Sequence, residues 1–242
     1  TQIALPATNI KVLVWNVHRG SDNLFTYDYQ QLAKDKHLAL LQEANLTQNL
    51  QETLVSVSMG YTHAKSFISP LRRLRMGVAT GSVAQAVLAQ GLVSPVREVR
   101  AATPKAVLLQ RYAISGKTQT LLVTNVHAIN FVPNTDFVKH IEQIALAMAS
   151  HSGPILVGGD FNTWNVQRLE LLDRIFANLR LTRVHFPAGR TRFPSMGTIF
   201  GMQTGGELDQ VYTRNLRVTS RSVNTDISSS DHRPLELQLA VR

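Results

Sequence analysis

Acidic side chains are scarce in this chain, 16 Asp and Glu among 242 residues, so where they fall is informative. Four of them stand at the ends of short apolar runs. Glu43 follows LALLQ, Asp160 follows ILVGG, Asp209 opens DQVY and Asp231 precedes PLELQL by a few residues. Any one alone reads as a solvated turn residue, since an exposed carboxylate costs little. Taken together, and with an Asn or His within two residues of three of them, they form a set of oxygen donors. Such a set suits a hard cation, Mg²⁺ or Mn²⁺, which takes few protein carboxylates and keeps several waters. Two histidines extend the pattern: His127 follows TLLVTNV, and His232 follows Asp231 directly. A lone His after a strand is more often structural. Two beside strand-end carboxylates and amides point to a site that handles phosphate, with imidazole as acid, base or charge partner. Among the other histidines only His18, two residues after Asn16, shares that setting.

Strands must carry these residues to one place. Short apolar runs alternate with helical stretches, the pattern of an α/β protein. Residues 10–17 and 38–42 read as buried strands, with a helical stretch over 27–35 between them. Residues 107–113 and 120–126 flank Ser115-Gly116-Lys117, a hairpin signal. Apolar spacing predicts a helix over 136–150, stopped by Gly153-Pro154, then a buried strand at 155–157 and a second long helix over 167–178. Late strands fall at 210–212, 218–223 and 235–239. Two sheets packed face to face between helices fit this order. No repeat, linker or low-complexity tract appears, so residues 1–242 read as a single domain, expected to be a monomer. The segment 181–206 is rich in loop formers, with Arg183, Arg190 and Arg192, and either faces the substrate or fills surface.

Lys and Arg (25) outnumber Asp and Glu, giving a net charge of +9. That balance favours a polyanionic partner, nucleic acid (DNA or RNA) or an anionic lipid or inositol phosphate. The arginines at 72, 73, 75, 97, 100, 183, 190 and 192 are the candidate contacts. The absence of cysteine excludes disulfides, a thiol nucleophile and thiolate metal sites. Ser115-Gly116-Lys117-Thr118 is not a phosphate loop, because position 111 is Arg where a Gly is needed. There is no G-x-S-x-G and no H-E-x-x-H. Residues 1–9 lack the features of a secretory leader, which favours the cytoplasm; a trimmed upstream signal would leave periplasm or secretion open.

Six segments occur in an order that resembles the endonuclease/exonuclease/phosphatase superfamily: VLVWN (12–16), LLQEA (40–44), TNVHAINF (124–131), GGDFNTW (158–164), ELDQVY (207–212) and SSDHRPL (229–235). Within it, VWNVHRG, NVHAINF and GDFNTWN are similar to a bacterial branch, the YafD-like proteins. The resemblance implies a four-layer α/β sandwich, two mostly antiparallel sheets flanked by helices, with the site at one rim. It implies Glu43 as the main Mg²⁺ ligand with Asn16 beside it, and Asp231 as ligand or near neighbour. It implies that Asp160 orients or deprotonates the attacking water and that Asn162 holds a phosphoryl oxygen. His232 would meet the scissile phosphate with Asp209 orienting its ring, and His127 would serve as leaving-group acid. Asn16, Asn125 and Arg233 are the candidate substrate contacts. Gln210 and Arg233 depart from the family's wording, and residues 71–90 match no substrate-defining loop. The expected activity is a metal-dependent phosphoesterase, with a nuclease as first reading and a lipid or inositol-phosphate phosphoesterase as second. A binding module without catalysis is the remaining alternative.

Overall fold

Runs such as IKVLVWN and LALLQ are apolar at nearly every position because both faces of the strand are covered, and the period-2 alternation sorts their side chains between two different cores. In the computed structural model, which describes residues 4–69, 73–99, 102–187 and 207–242, the strands are as follows. In chain order they are β1 (Ile10–Asn16), β2 (Leu38–Asn45), β3 (Gly60–Ile68), β4 (Arg75–Ser82), β5 (Leu88–Val93), β6 (Ala106–Ala113), β7 (Thr120–His127), β8 (Ile155–Asp160), β9 (Thr182–Arg183), β10 (Asp209–Arg214), β11 (Leu216–Val223) and β12 (Leu235–Val241). The helices are α1 (Phe25–Ala33), α2 (Gln48–Val55), α3 (Asn134–Met148) and α4 (Val166–Ala177). One six-stranded sheet has the order β11-β12-β1-β2-β4-β3 and the other β5-β6-β7-β8-β10-β9. The pairs β1–β2 and β7–β8 are parallel and the rest antiparallel.

Val12 and Val14 of β1 and Leu38 and Leu40 of β2 face the second sheet, where Val123, Leu156 and Val211 meet them. Their neighbours Leu13, Trp15, Ala39 and Leu41 face outward and bury Phe25 and Tyr29 of α1 and Leu50 and Leu54 of α2. On the far side Leu122, Val126, Ile155 and Val157 are covered by Phe137, Ile141 and Ile144 of α3 and by Leu172 and Phe176 of α4. This is the expected four-layer α/β sandwich. Strands β3, β4 and β5 and helix α2 were not legible in the residue pattern. Most of the unmatched stretch 71–90 is therefore sheet. Arg72, Arg100, Arg190 and Arg192, and residues 188–206 of the loop-rich segment, lie outside the described residues.

The same alternation sets up the rim. On β1 the inward series Val12, Val14 continues to Asn16. On β8 it runs Leu156, Gly158, Asp160, and a Cβ on Gly158 would sit 3.1 Å from Val14. The next residue back, Gly159, has φ +145°, and a Cβ there would lie 1.9 Å from the Val126 carbonyl oxygen of the neighbouring strand. Only glycine fits that backbone. Gly159 thereby lets β7 and β8 stay in a register that sets His127 beside Asp160. Gly159→Ala should cost about 3 kcal/mol or more, through backbone strain and overlap. Urea denaturation checks this; a loss under about 0.5 kcal/mol, ordinary for a surface change, would show that the register tolerates a side chain.

Candidate active site

Three neighbouring strands of the second sheet end in one row. His127 closes β7, Asp160 closes β8 beside it, and Asp209 opens β10 directly across from Asp160. Strand β1 of the other sheet supplies the facing group. The Asn16 amide donates to Asp160 Oδ2 at 3.0 Å, while Asp160 Oδ1 accepts from the Asn162 backbone N–H at 2.9 Å. Asn162 has φ +52°, a turn that folds its N–H back onto the carboxylate. Its own side-chain amide donates to the Ala128 carbonyl at 2.9 Å.

His232 reaches this row from the segment leading into β12, which β1 clamps in place. Trp15 Nε1 donates to the His232 carbonyl at 2.9 Å, and the Ser230 hydroxyl donates to the Asn16 carbonyl at 2.6 Å. The His232 ring then lies with Nδ1 2.8 Å from Asp209 Oδ2 and Nε2 3.8 Å from Asp160 Oδ2. All three side chains are almost wholly buried. Burial alone would push the His232 ring down. The carboxylate of Asp209, with that of Asp160 and the hydrogen bond from Nδ1, outweighs it and lifts the ring to about 10. Asp160 moves the opposite way to a bare salt-bridged acid: burial raises it to about 6, against the pull of His232 and the hydrogen bonds from Asn162 and Asn16. At neutral pH the pair is therefore imidazolium and carboxylate.

His127 differs. Its Nε2 is 3.7 Å from Asp160 Oδ2, close enough for an ion pair if the ring were charged. Burial holds it well below its ordinary value, and the positive groups Lys105 and His232 add to that. The carboxylate of Asp160 is already engaged by His232 and two hydrogen bonds, so the neutral ring is the better description. A neutral His127 is not the strong proton donor expected of a leaving-group acid; it fits a hydrogen-bonding role.

Glu43 lies at the mouth. One extra residue between Leu41 and Ala44 bulges β2 against β4, and Glu43 takes φ +52° there. A bulge of this kind re-aims a side chain at a strand end. Glu43, Arg19, Phe67, Met76, Lys105 and His127 line a cleft of about 300 Å³. A short 3-10 turn, His18–Gly20, sets Arg19 and His18 against the mouth carboxylates. Arg19 Nε is 3.7 Å from Glu43 Oε2, and His18 Nδ1 is 3.7 Å from Asp231 Oδ1.

Two sets of groups could hold a metal. Ligand atoms of Asp160, Asp209 and His232 lie within 4.8 Å of one another. Their chemistry argues against a cation there: Asp209 Oδ2 is bonded to His232, both Asp160 oxygens accept hydrogen bonds, and the ring is itself cationic. Glu43 and Asp231 keep 25% and 29% of their side chains exposed, room for the waters that Mg²⁺ retains. The Asn16 amide oxygen, which accepts from the His18 N–H at 3.1 Å, would be a third oxygen donor through its other lone pair. The second set fits a hard cation better.

Asn125 is not at the mouth. It is fully buried between the sheets, donating to the carbonyls of Leu41 and Ala79 and to Thr80 Oγ1, and accepting from Gln42 at 2.7 Å. It cross-links the sheets, which corrects its expected substrate contact. Arg233 is half-buried next to His232. Residue types and spacing gave no hint of Arg168, whose guanidinium is buried on α4. It donates to the carbonyls of Val132, Asn162 and Ile129 at 2.7, 3.3 and 3.4 Å, and lies over the rings of Phe137 and Trp164. It ties together the loops that follow β7 and β8, and an Arg after an N-capping Asn165 is too common a pattern to reveal that.

The Asp209–His232 pair can be tested without turnover. In chelator, ¹⁵N-detected NMR should find the His232 ring still protonated at pH 8, and Asp209→Asn should lower its pKa by about 1–3 units. Because the folded value is raised, the stability this pair contributes is fully present below about 6.5 and is lost as pH rises through about 10. A parent ring titrating near 6.5 would contradict the pairing.

Comparison with known proteins agrees with this fold. The family model described as "Endonuclease/Exonuclease/phosphatase family" matches residues 13–232. A UPF0294 protein of Vibrio parahaemolyticus is 30% identical over 229 residues, covering 93% of this chain and 76% of that protein. A family member of known structure from Leptotrichia buccalis superposes with a TM-score of 0.75 at 20% identity, covering 95% of this chain and 99% of that one. The human Nocturnin catalytic domain, solved with a bound sulfate anion, gives a TM-score of 0.70 at 16% identity, covering 99% and 97%. The sheets, the row of side chains at their rim and the family match lead to one conclusion: this chain belongs to the endonuclease/exonuclease/phosphatase family and has its phosphoesterase fold.

Proposed function

We propose that the chain is a divalent-metal-dependent phosphodiesterase acting on nucleic acid. The observation that carries the chemistry is the buried row Asp209–His232–Asp160, an imidazolium held between two carboxylates, one of which faces Asn16. Asp160, fixed by Asn16 and the Asn162 N–H, orients the attacking water and accepts its proton. His232, kept cationic by Asp209, faces the charge that grows on the phosphoryl oxygens. Preset charges of this kind, in a pocket poor in water, stabilise the transition state without reorganising. One Asn162 N–H is spent on Ala128, and the other is the group available to a phosphoryl oxygen. Glu43, Asp231 and Asn16 would hold the cation, which when bound would supply Lewis-acid stabilisation of the phosphoryl oxygens.

The substrate class rests on the cleft. Phe67 and Met76 give its wall an aromatic and an apolar surface, and Arg19 and Lys105 stand near Glu43 and His127. A half-exposed ring beside cations suits a base stacked next to its phosphate. An inositol or choline headgroup gains less from such a wall.

The test is turnover of an oligonucleotide, sphingomyelin and a phosphoinositide side by side with Mg²⁺ or Mn²⁺. Oligonucleotide cleavage should dominate, vanish in EDTA and return with metal. Asp160→Asn and His232→Ala should each lower kcat at least about 100-fold, and Glu43→Gln should raise the metal requirement. Lipid hydrolysis faster by about tenfold, roughly 1.4 kcal/mol of barrier, would overturn the nucleic-acid reading, and full activity in chelator would overturn the metal dependence.

A further inference from the structure

The strands that bring Asp209 and His232 to the rim run away from it to the opposite end of the sandwich. There β10 ends at Arg214, and β12 ends opposite the first residue of β11, with Leu216 paired to Val241. A groove of about 400 Å³ lies at this end, beside β9 and β11, the edge strands of the two sheets. Arg180, Arg183, Arg214, Arg217, Arg221 and Arg242 line it, and no carboxylate side chain does. Two of these arginines have structural work. Arg183 pairs with Asp173 at 3.4 Å, and Arg214 donates to the carbonyls of Gly153, Leu179 and His151. The guanidinium groups of Arg180, Arg217, Arg221 and Arg242 have no hydrogen-bond or ion-pair partner among the described residues, and all four residues are exposed. Gathering like charges without acids is unfavourable unless an anion joins them. Burial and the nearby Arg180 already hold the Arg214 guanidinium below its ordinary value.

We propose that this groove is a second binding site, remote from the hydrolytic one, for the phosphate backbone of a nucleic-acid strand. Arginine forks match phosphate oxygens bidentately, and a row of them reads backbone charge without reading sequence. Of the apolar residues lining the groove, Val184 and Leu216 are buried and Val218 is half-buried, so it offers little to insert among lipid chains. A concave surface takes a strand, whereas a bilayer presents a plane. The span along β10 from Asp209 to Arg214 is about 17 Å at roughly 3.3 Å per residue, at most about five nucleotides, the number for a strand stacked at the duplex rise of about 3.4 Å each. A strand held at the rim therefore reaches the groove only when it extends several nucleotides past the reacting phosphate, which a dinucleotide does not. The strand as ligand rests on the substrate class proposed above.

The test compares the parent with Arg180→Ala/Arg217→Ala/Arg221→Ala and with a control of equal charge loss, Lys34→Ala/Lys139→Ala/Arg174→Ala, whose residues are exposed elsewhere. Binding of a fluorescent 30-nucleotide single strand is read by anisotropy in EDTA across salt, so no turnover is needed. The groove variant should flatten the log K against log salt slope by about 2, near 0.7 per lost contact, while the control keeps the parent slope. With metal restored, the groove variant should raise KM for the 30-mer and leave hydrolysis of a dinucleotide unchanged. An unchanged slope in a folded groove variant overturns the proposal, as does an equal drop in the control. So does loss of binding to phosphatidylserine vesicles with oligonucleotide binding intact, which would make the groove a membrane contact. Groove-dependent binding without any cleavage would leave this site standing and sink the substrate assignment instead.

Discussion

A carboxylate inside a protein is the constraint on which the rim depends. Asp160 is 3% exposed at the end of a strand whose other inward residues are Leu156 and Gly158. Taking such an ion from water costs several kcal/mol even after relaxation. Hydrogen bonds to a charged group return about 1.5–3 kcal/mol each. With the two from Asn16 and Asn162 in place burial still raises Asp160 above its ordinary value, and His232 supplies the counter-charge that opposes it. That cation is itself buried and requires Asp209. Each member is tolerable only because the next is present. Asn16 comes from the first sheet, Asp160 and Asp209 from the second, and His232 from the connection between β11 and β12 at the first sheet's rim. The ionised state of one acid thus requires both sheets to be docked.

The docking in turn follows from pleat parity. Val12, Val14 and Asn16 share one face of β1, and Leu156, Gly158 and Asp160 share one face of β8, so the core that holds the sheets together extends without interruption into the site. A shift of one residue in either strand would send its polar residue under a helix layer. Gly158 and Gly159 serve the same end, the first by allowing Val14 close and the second by allowing Val126 close. Asn125 and Gln42 lie further in and spend their amides on the two sheets, a polar cross-link behind the row.

Much of this was legible in residue order. Carboxylates after apolar runs, and their amide and imidazole neighbours, gave the row at the rim, and the strongly apolar strands gave the two sheets. What was missed has physical causes. β4, RMGVATGS, is built from small residues with little apolar signal, and β3 and β5 are edge strands with much of their surface exposed. The protonation of His127 depends first on its burial and then on Lys105 and His232, distant in sequence, and so could not be read from its own neighbours. Arg168 and Ser230 act through backbone carbonyls, which any sequence provides. Asn125 was a candidate substrate contact, but its position deeper along β7, on the inward face, puts it between the sheets.

The proposed function rests on a division of labour between mouth and interior, in which Glu43 and Asp231 would hold the cation and Asp160, Asp209 and His232 would handle the proton and the phosphoryl charge. Crystals soaked in Mn²⁺ and measured for anomalous scattering test it most directly. The account predicts a peak against the Glu43 carboxylate, with the Asp209–His232 hydrogen bond intact and Arg19 moved off Glu43. A peak among Asp160, Asp209 and His232, with that hydrogen bond broken, would contradict it.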